Sequence, residues 1–85
     1  MTNKKLVFDI ETNGLLDTMD TIHCLVIKDV ETKEIQSFRP HQVEAGLKIL
    51  SQADLLIGHN IIKFDIPAIQ LVYPEWKPKA EIRDT

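Results

Sequence analysis

The sequence predicts an α/β fold, a mixed sheet in which three antiparallel strands are joined by a parallel fourth and packed against two helices. The N-terminal part contains short segments of alternating polarity separated by polar turns. Two segments with helical spacing follow, and between them lies the short apolar run LLIGHN, typical of a buried parallel strand. The chain has 85 residues and 44% hydrophobic content, which suffices for one core and predicts a single domain.

The first three strands predict an antiparallel meander. Alternation of apolar and polar side chains predicts strands over Lys4 to Ile10, Ile22 to Asp29 and Lys33 to Arg39. The polar segment Glu31-Thr32-Lys33 is short enough to connect the last two strands as a hairpin.

The first helix is predicted to begin at Pro40 and to run to about Ala53. One face of it would carry Val43, Gly46, Leu47 and Leu50. The run Leu55 to Asn60 then forms the parallel fourth strand.

Proline positions set the limits of the second helix. Pro67 is tolerated only in a first turn, so the helix should begin near Phe64 to Ile66, and Pro74 should stop it. Its inner face would carry Ile66, Ile69 and Tyr73. The tail after Pro74 reads as a loop, with a strand that could begin at Ile82 and an Asp84-Thr85 pair typical of a helix N-cap.

Composition limits the classes of function. The formal net charge is −3, so binding of a polyanion would need local lysines or bound cations. The single cysteine excludes an internal disulfide and a multi-thiolate zinc site. The segment Met1 to Lys5 lacks the apolar stretch of a signal peptide, so we expect a cytoplasmic protein without a membrane partner.

Two acids on the first strand are the main functional candidates. Asp9 and Glu11 would project from the same strand face, about 6.5 to 7 Å apart along the strand. Such carboxylates repel each other unless a cation lies between them. The alternative interpretation is a solvated strand face whose charges discourage pairing with another sheet.

A third acid, Asp65, would lie near the first two if the first and fourth strands are neighbours. Ligands bind at the carboxyl ends of parallel strands in open α/β sheets. Three carboxylates without a histidine or cysteine cluster suit Mg²⁺ or Mn²⁺ better than zinc. The alternative for Asp65 is a helix N-cap or first-turn acid.

Two segments carry a family resemblance. DIET at Asp9 to Thr12 and HNIIKFD at His59 to Asp65 resemble the first two motifs of the DEDD 3′-to-5′ exonucleases, which have a ribonuclease-H-like fold. The match is most similar to the N-terminal exonuclease domain of family A DNA polymerases from podovirus-type phages. The segments IHC, SFRP and the closing DT are also similar. The resemblance implies that residues 1–85 form the N-terminal half of such a domain, in a phage-infected or bacterial host cell.

The resemblance assigns roles in a site with two divalent ions, Mg²⁺ or Mn²⁺. It implies that Asp9 bridges both ions, that Glu11 binds the ion carrying the attacking water, and that Asp65 helps to hold the second ion. These three residues would be both the catalytic and the metal-binding residues.

The resemblance also implies a substrate-binding group. Asn60 would orient the substrate end or support the acids, and Leu15 would pack against the terminal base of a single-stranded DNA 3′ end. Thr12 and Phe64 are assigned to the same group, and Phe64 would also act as a core anchor that fixes the direction of Asp65.

Other candidates have structural interpretations. His59 is expected to be a structural histidine, because one histidine at a strand end makes no cluster. Trp76 is expected to pack, and Lys77, Lys79 and Arg83 are expected to lie in a solvated loop because they lack interleaved aromatic residues.

The third motif of the family, which supplies a water-positioning tyrosine or histidine and a fourth aspartate, has no counterpart in these residues. Three hypotheses follow: half of an exonuclease completed by a second chain, a catalytically inactive module that binds nucleic acid or a protein, and a weak stand-alone nuclease. We also expect one sheet face to be poorly covered, and hence a marginally stable or associating chain.

Overall fold

The computed structural model describes residues 4–14, 16 and 19–85. Five strands form one sheet, namely β1 (Lys5–Thr12), β2 (Ile22–Asp29), β3 (Ile35–Phe38), β4 (Leu55–Gly58) and β5 (Glu81–Asp84). Helix α1 (Val43–Ser51) follows a 3₁₀ turn at Pro40–Gln42, and helix α2 (Ile66–Val72) follows a π-helical turn at Ile61–Asp65.

The strand order is β3-β2-β1-β4-β5. Strands β1, β2 and β3 pair antiparallel, whereas β4 pairs parallel with β1 and β5 pairs parallel with β4. The predicted mixed sheet with two helices is therefore confirmed, with β5 as an additional parallel strand. Because β1, β4 and β5 run in the same direction, their carboxyl ends meet at one edge of the sheet.

One sheet face is covered by both helices. The apolar side chains of β1 that alternate with its acids are almost fully buried. They belong to one core cluster with side chains from β2, β4 and the helices, including Leu6, Phe8, Ile10, Leu25, Ile27, Val43, Leu47, Leu50, Leu56, Ile61, Ala68 and Ile69. We call this side of the sheet the covered face.

Helix α1 packs closely on this face because Gly46 has no side chain. A Cβ atom there would lie 3.0 Å from the Phe38 ring and against Leu25. The three- and four-residue spacing of the helix predicts this inner face, and the burial of Val43, Gly46, Leu47 and Leu50 agrees with it.

The opposite side of the sheet is the open face, formed by the alternate residues of each strand. Val7, Val26 and Ile57 are half-buried there and lie outside the core cluster, and Ile35 is 63% exposed. Among the described residues, no helix packs side chains of the core cluster onto this face. The predicted difference in cover between the two faces is thus present.

Element ends differ from the predictions at defined backbone features. The first turn of the predicted first helix, Pro40–Gln42, is 3₁₀ rather than α. The fourth strand ends at Gly58, since Asn60 adopts a left-handed backbone with φ of 59°. The third strand is shorter than predicted, and Lys33, with φ of 65°, forms the hairpin turn.

Within the described part of the chain, no helix is both long enough and apolar enough to cross a membrane.

Candidate active site

Asp9 and Glu11 lie on the open face of β1, near its carboxyl end. Both side chains are exposed, and their register partners on β2 are Val26 and Cys24. The covered face of the same strand is buried, so the alternation of a β-strand alone places the two acids together on the solvent side.

Asp65 reaches β1 from the π-helical turn. Pairing between β1 and β4 extends only to Val7 and Ile57, so Ile10 lies beyond the last strand partner. Its backbone N–H instead donates a hydrogen bond of 3.3 Å to Oδ2 of Asp65. A buried N–H needs an acceptor, and Asp65 supplies it. Asp65 occupies the N-cap position of α2, but its side chain makes no capping hydrogen bond there.

The Asp65 carboxyl titrates far from its ordinary range. Its side chain is 4% exposed, and its pKa is raised from 3.8 to about 6, mainly by burial. The negative charges of Asp9 and Asp84 contribute to this rise, whereas the Ile10 N–H and His59 oppose it. The charge of Asp9 therefore acts on Asp65, as expected for two carboxylates at one site.

The corner between β4 and the π-helical turn is tightly built. Asn60, the predicted substrate-orienting residue, is exposed and in the left-handed backbone region that asparagine tolerates better than most residues. Before it, a Cβ atom on Gly58 would lie 2.9 Å from the Phe8 carbonyl oxygen and clash with the Ile61 side chain. His59 is exposed between them.

Asp84 is the residue that sequence reasoning missed. It is the last residue of β5, and its carboxylate accepts backbone hydrogen bonds from Asn60 and Ile62. The available signal was Ile82, which lies within β5: a parallel strand there brings its carboxyl end to the same edge as β1 and β4.

The turn after β1 contains two predicted substrate-binding residues. The Thr12 hydroxyl donates a hydrogen bond of 2.6 Å to the Gly14 carbonyl oxygen, so it is part of the turn itself. Asn13 closes the loop by accepting the N–H groups of Asp20 and Thr21. Leu15 lies outside the described residues.

Phe64 immediately precedes Asp65, is half-buried, and packs against the core cluster. Trp76 is buried in the same cluster, and Lys77 and Lys79 are exposed. Arg83 is also exposed, but it lies in β5 rather than in the predicted loop. The assignment of Phe64 to substrate binding remains a prediction.

The three acids suit a hard divalent cation in kind, because carboxylate oxygens are the ligands that Mg²⁺ prefers. However, across residues 4–14, 16 and 19–85 no three His, Cys, Asp or Glu side chains are grouped closely enough to hold a metal ion. Asp65 is turned to the Ile10 N–H, while Asp9 and Glu11 point to solvent. Carboxylates without a cation between them repel each other, which favours this open arrangement.

Comparison with known proteins places this geometry in context. A model of the RNase H superfamily matches residues 6–83. The chain is 40% identical over 68 residues to the DNA-directed DNA polymerases of Escherichia phage T7 and Enterobacteria phage T3. The aligned region is 75% of this chain and 10% of each polymerase.

Among solved structures, the family B DNA polymerase from the hyperthermophilic archaeon Pyrobaculum calidifontis is similar in fold. The TM-score is 0.69 at 17% sequence identity, over 87% of this chain and 11% of that polymerase. The match with the superfamily model spans nearly the whole sheet and both helices. The chain therefore belongs to the RNase H superfamily.

Proposed function

We propose that this chain is the N-terminal half of a 3′-to-5′ exonuclease domain that hydrolyses DNA from its 3′ end. The observation that carries the proposal is the arrangement of acids from two segments. Exposed Asp9 and Glu11 on β1 lie beside Asp65, which the π-helical turn delivers to Ile10 of the same strand. The identity of 40% to two phage DNA polymerases supports the DNA substrate.

The residues of this chain would have different roles at the edge of the sheet where the carboxyl ends of β1, β4 and β5 meet. Asp9 and Glu11 would hold divalent ions from the strand, and Asp65 would help to hold one of them from the π-helical turn. Bound Mg²⁺ or Mn²⁺ ions would lower the pKa of a water molecule and stabilise the attacking and leaving oxygens of the phosphodiester. Asn60 and Phe64 would position the 3′ end and Asp65, respectively.

The raised pKa of Asp65 is consistent with this role. Near neutral pH the buried carboxylate bears a charge that costs desolvation energy and repels Asp9. A divalent cation would relieve both effects. Residues that are unfavourable for the fold by themselves are often functional.

The rest of the catalytic domain is proposed to pack against the open face. The chain spans 10% of the length of the two phage polymerases, and Val7, Val26 and Ile57 on that face are only half-buried. We infer that further residues of a polymerase, on the same or on a second chain, cover these side chains. An isolated chain that sediments as a monomer, with a sharp melting transition independent of concentration, would contradict this cover.

Digestion of single-stranded DNA tests the activity. A 5′-labelled oligonucleotide is incubated with the chain and Mg²⁺, and then with Mn²⁺. We expect stepwise shortening from the 3′ end, lost in the Asp9→Ala/Glu11→Ala variant. The control variant Glu31→Ala/Glu34→Ala removes the same charge from the exposed β2–β3 hairpin and should retain the activity. Equal products from the native chain and the Asp9→Ala/Glu11→Ala variant would contradict an active nuclease.

The second candidate is a catalytically inactive module that binds a nucleic-acid 3′ end. It is favoured by the absence, in the described part of the chain, of three acids grouped closely enough for a metal. Fluorescence anisotropy with labelled single-stranded DNA distinguishes the two functions. Binding that persists in Asp9→Ala/Glu11→Ala without any digestion by the native chain would support the module.

A further inference from the structure

The Asp84 carboxylate joins two peptide groups that shape the corner after β4. Its Oδ1 atom accepts the Asn60 N–H at 2.7 Å, and its Oδ2 atom accepts the Ile62 N–H at 3.0 Å. Hydrogen bonds to an ionised acceptor are stronger than those between neutral groups. With both oxygens engaged, the carboxylate fixes the direction of the backbone on each side of Ile61.

The strand that carries Asp84 is itself attached to β4. The Thr85 N–H donates to the Gly58 carbonyl oxygen at 2.9 Å, and the Thr85 hydroxyl donates to the same oxygen at 3.3 Å. Asp84 therefore spans a corner whose two sides belong to adjacent parallel strands.

The corner continues into the turn that carries Asp65. The Asn60 carbonyl oxygen accepts the Phe64 N–H at 3.0 Å, one residue before Asp65. The backbone at Asn60 is left-handed, a conformation that needs support from its surroundings. A chain of hydrogen bonds thus leads from Asp84 through Asn60 to Phe64, and Asp65 then accepts the Ile10 N–H.

We propose that Asp84 is a positioning residue that sets the direction of Asp65. By holding the N–H groups of Asn60 and Ile62, it fixes the turn that brings the Asp65 carboxylate to β1 beside Asp9. The consequence for metal binding rests on the function proposed above, whereas the consequence for the Asp65–Ile10 hydrogen bond does not.

The Ile10 amide is a remote reporter of this positioning. In the ¹⁵N-labelled chain, its chemical shift and hydrogen exchange rate report the bond to Asp65, and Asp65→Ala gives the reference for its loss. In Asp84→Asn we expect the Ile10 signal to move toward that reference and its exchange rate to rise about tenfold. An unchanged Ile10 amide in a folded Asp84→Asn variant would overturn the proposal.

Asp54→Asn is the matched control. Asp54 also accepts a backbone N–H, from Lys4 at 2.7 Å, but at the opposite end of the sheet. The same substitution there removes the same charge, and in both variants the asparagine oxygen can still accept one backbone N–H. It should leave the Ile10 amide unchanged, and an equal shift in both variants would overturn the proposal.

A titration with Mg²⁺ alone follows the amides of residues 9–11. We expect the dissociation constant to rise about tenfold in Asp84→Asn and less than about twofold in Asp54→Asn. Equal weakening in the two variants contradicts the positioning of a metal ligand. If the native chain takes up no Mg²⁺, the proposed function fails for this chain, and the Ile10 amide still decides the role of Asp84.

Hydrogen exchange in the native chain tests the same coupling if Asp84→Asn does not fold. If the corner opens as one unit, the amides of Asn60, Ile62 and Ile10 should exchange with the same free energy of opening. Independent opening of Ile10 would overturn the proposal.

Discussion

The two faces of the sheet differ in what their residues do. On the covered face, Leu6, Phe8 and Ile10 alternate into a core shared with both helices. On the open face of the same strand, Val7 is half-buried and Asp9 and Glu11 are exposed. Because successive side chains of a strand point to opposite faces, one face of β1 stabilises the fold and the other carries the acids of the proposed chemistry. Substitutions on the covered face should therefore lower the stability of the fold, whereas substitutions of the acids on the open face should weaken metal binding.

The largest effect is expected from Phe8→Ala. Phe8 is 1% exposed at the centre of the core cluster, so truncation leaves a cavity and should lower the free energy of unfolding by about 3 to 5 kcal/mol. Urea denaturation measures the change. The control is Val26→Ala on the open face, where the half-buried side chain should cost less than about 1.5 kcal/mol. Equal losses at the two positions would remove the distinction between the faces.

Asp65→Asn should stabilise the chain above about pH 6. The pKa of Asp65 is raised to about 6 in the folded chain from 3.8, so the folded state binds more protons between these values. Stability therefore falls as pH rises through this window, by roughly 2 to 3 kcal/mol, and the loss is complete above it. The asparagine oxygen can still accept the Ile10 N–H without bearing a charge.

Urea denaturation from about pH 4 to about pH 7.5 measures this effect. The native chain and Asp65→Asn should differ most at the upper end and little at the lower end. Asp54→Asn, whose carboxylate is exposed, should show no gain in stability. A variant at Asp65 that is less stable than the native chain near neutral pH would contradict the buried charge.

Gly58→Ala should lower the free energy of unfolding by about 1 to 3 kcal/mol, because a Cβ atom would press on a backbone atom, the Phe8 carbonyl oxygen, at 2.9 Å. It would also disturb the corner that leads to Asp65. Thermal denaturation and the Ile10 amide signal measure the two consequences. An alanine variant with native stability and a native Ile10 signal would show that the corner is not tightly packed.

Much of the fold follows from the sequence. The alternation in the first two strands predicts the location of the acids and the extent of β2, whereas β1 continues to Thr12 beyond the predicted end at Ile10. The two prolines predict the start and the end of α2. The fifth strand was only indicated by Ile82, because its pairing with β4 depends on a neighbour more than twenty residues away in the chain. Strand β5 has one apolar residue in four, so its sequence shows no clear alternation of apolar and polar side chains.

The candidate site was predictable in residue type but not in detail. The segments DIET and HNIIKFD identify Asp9, Glu11 and Asp65, and the structure brings Asp65 to the strand of the other two. The acceptor role of Asp65 toward Ile10 depends on β4 pairing no further than Ile57, which no local pattern encodes. The corner held by Asp84 likewise depends on a contact between distant segments.

The smallest change in stability and the largest loss of metal binding are expected from the same variant, Asp9→Ala/Glu11→Ala. Both side chains are exposed, so their removal should change the free energy of unfolding by less than about 0.5 kcal/mol. The melting temperature is measured with and without excess Mg²⁺, since a ligand that binds the folded chain raises it. We expect a rise for the native chain and none for the variant. An equal rise in both, or no rise in the native chain, would contradict an open face that binds metal through these acids.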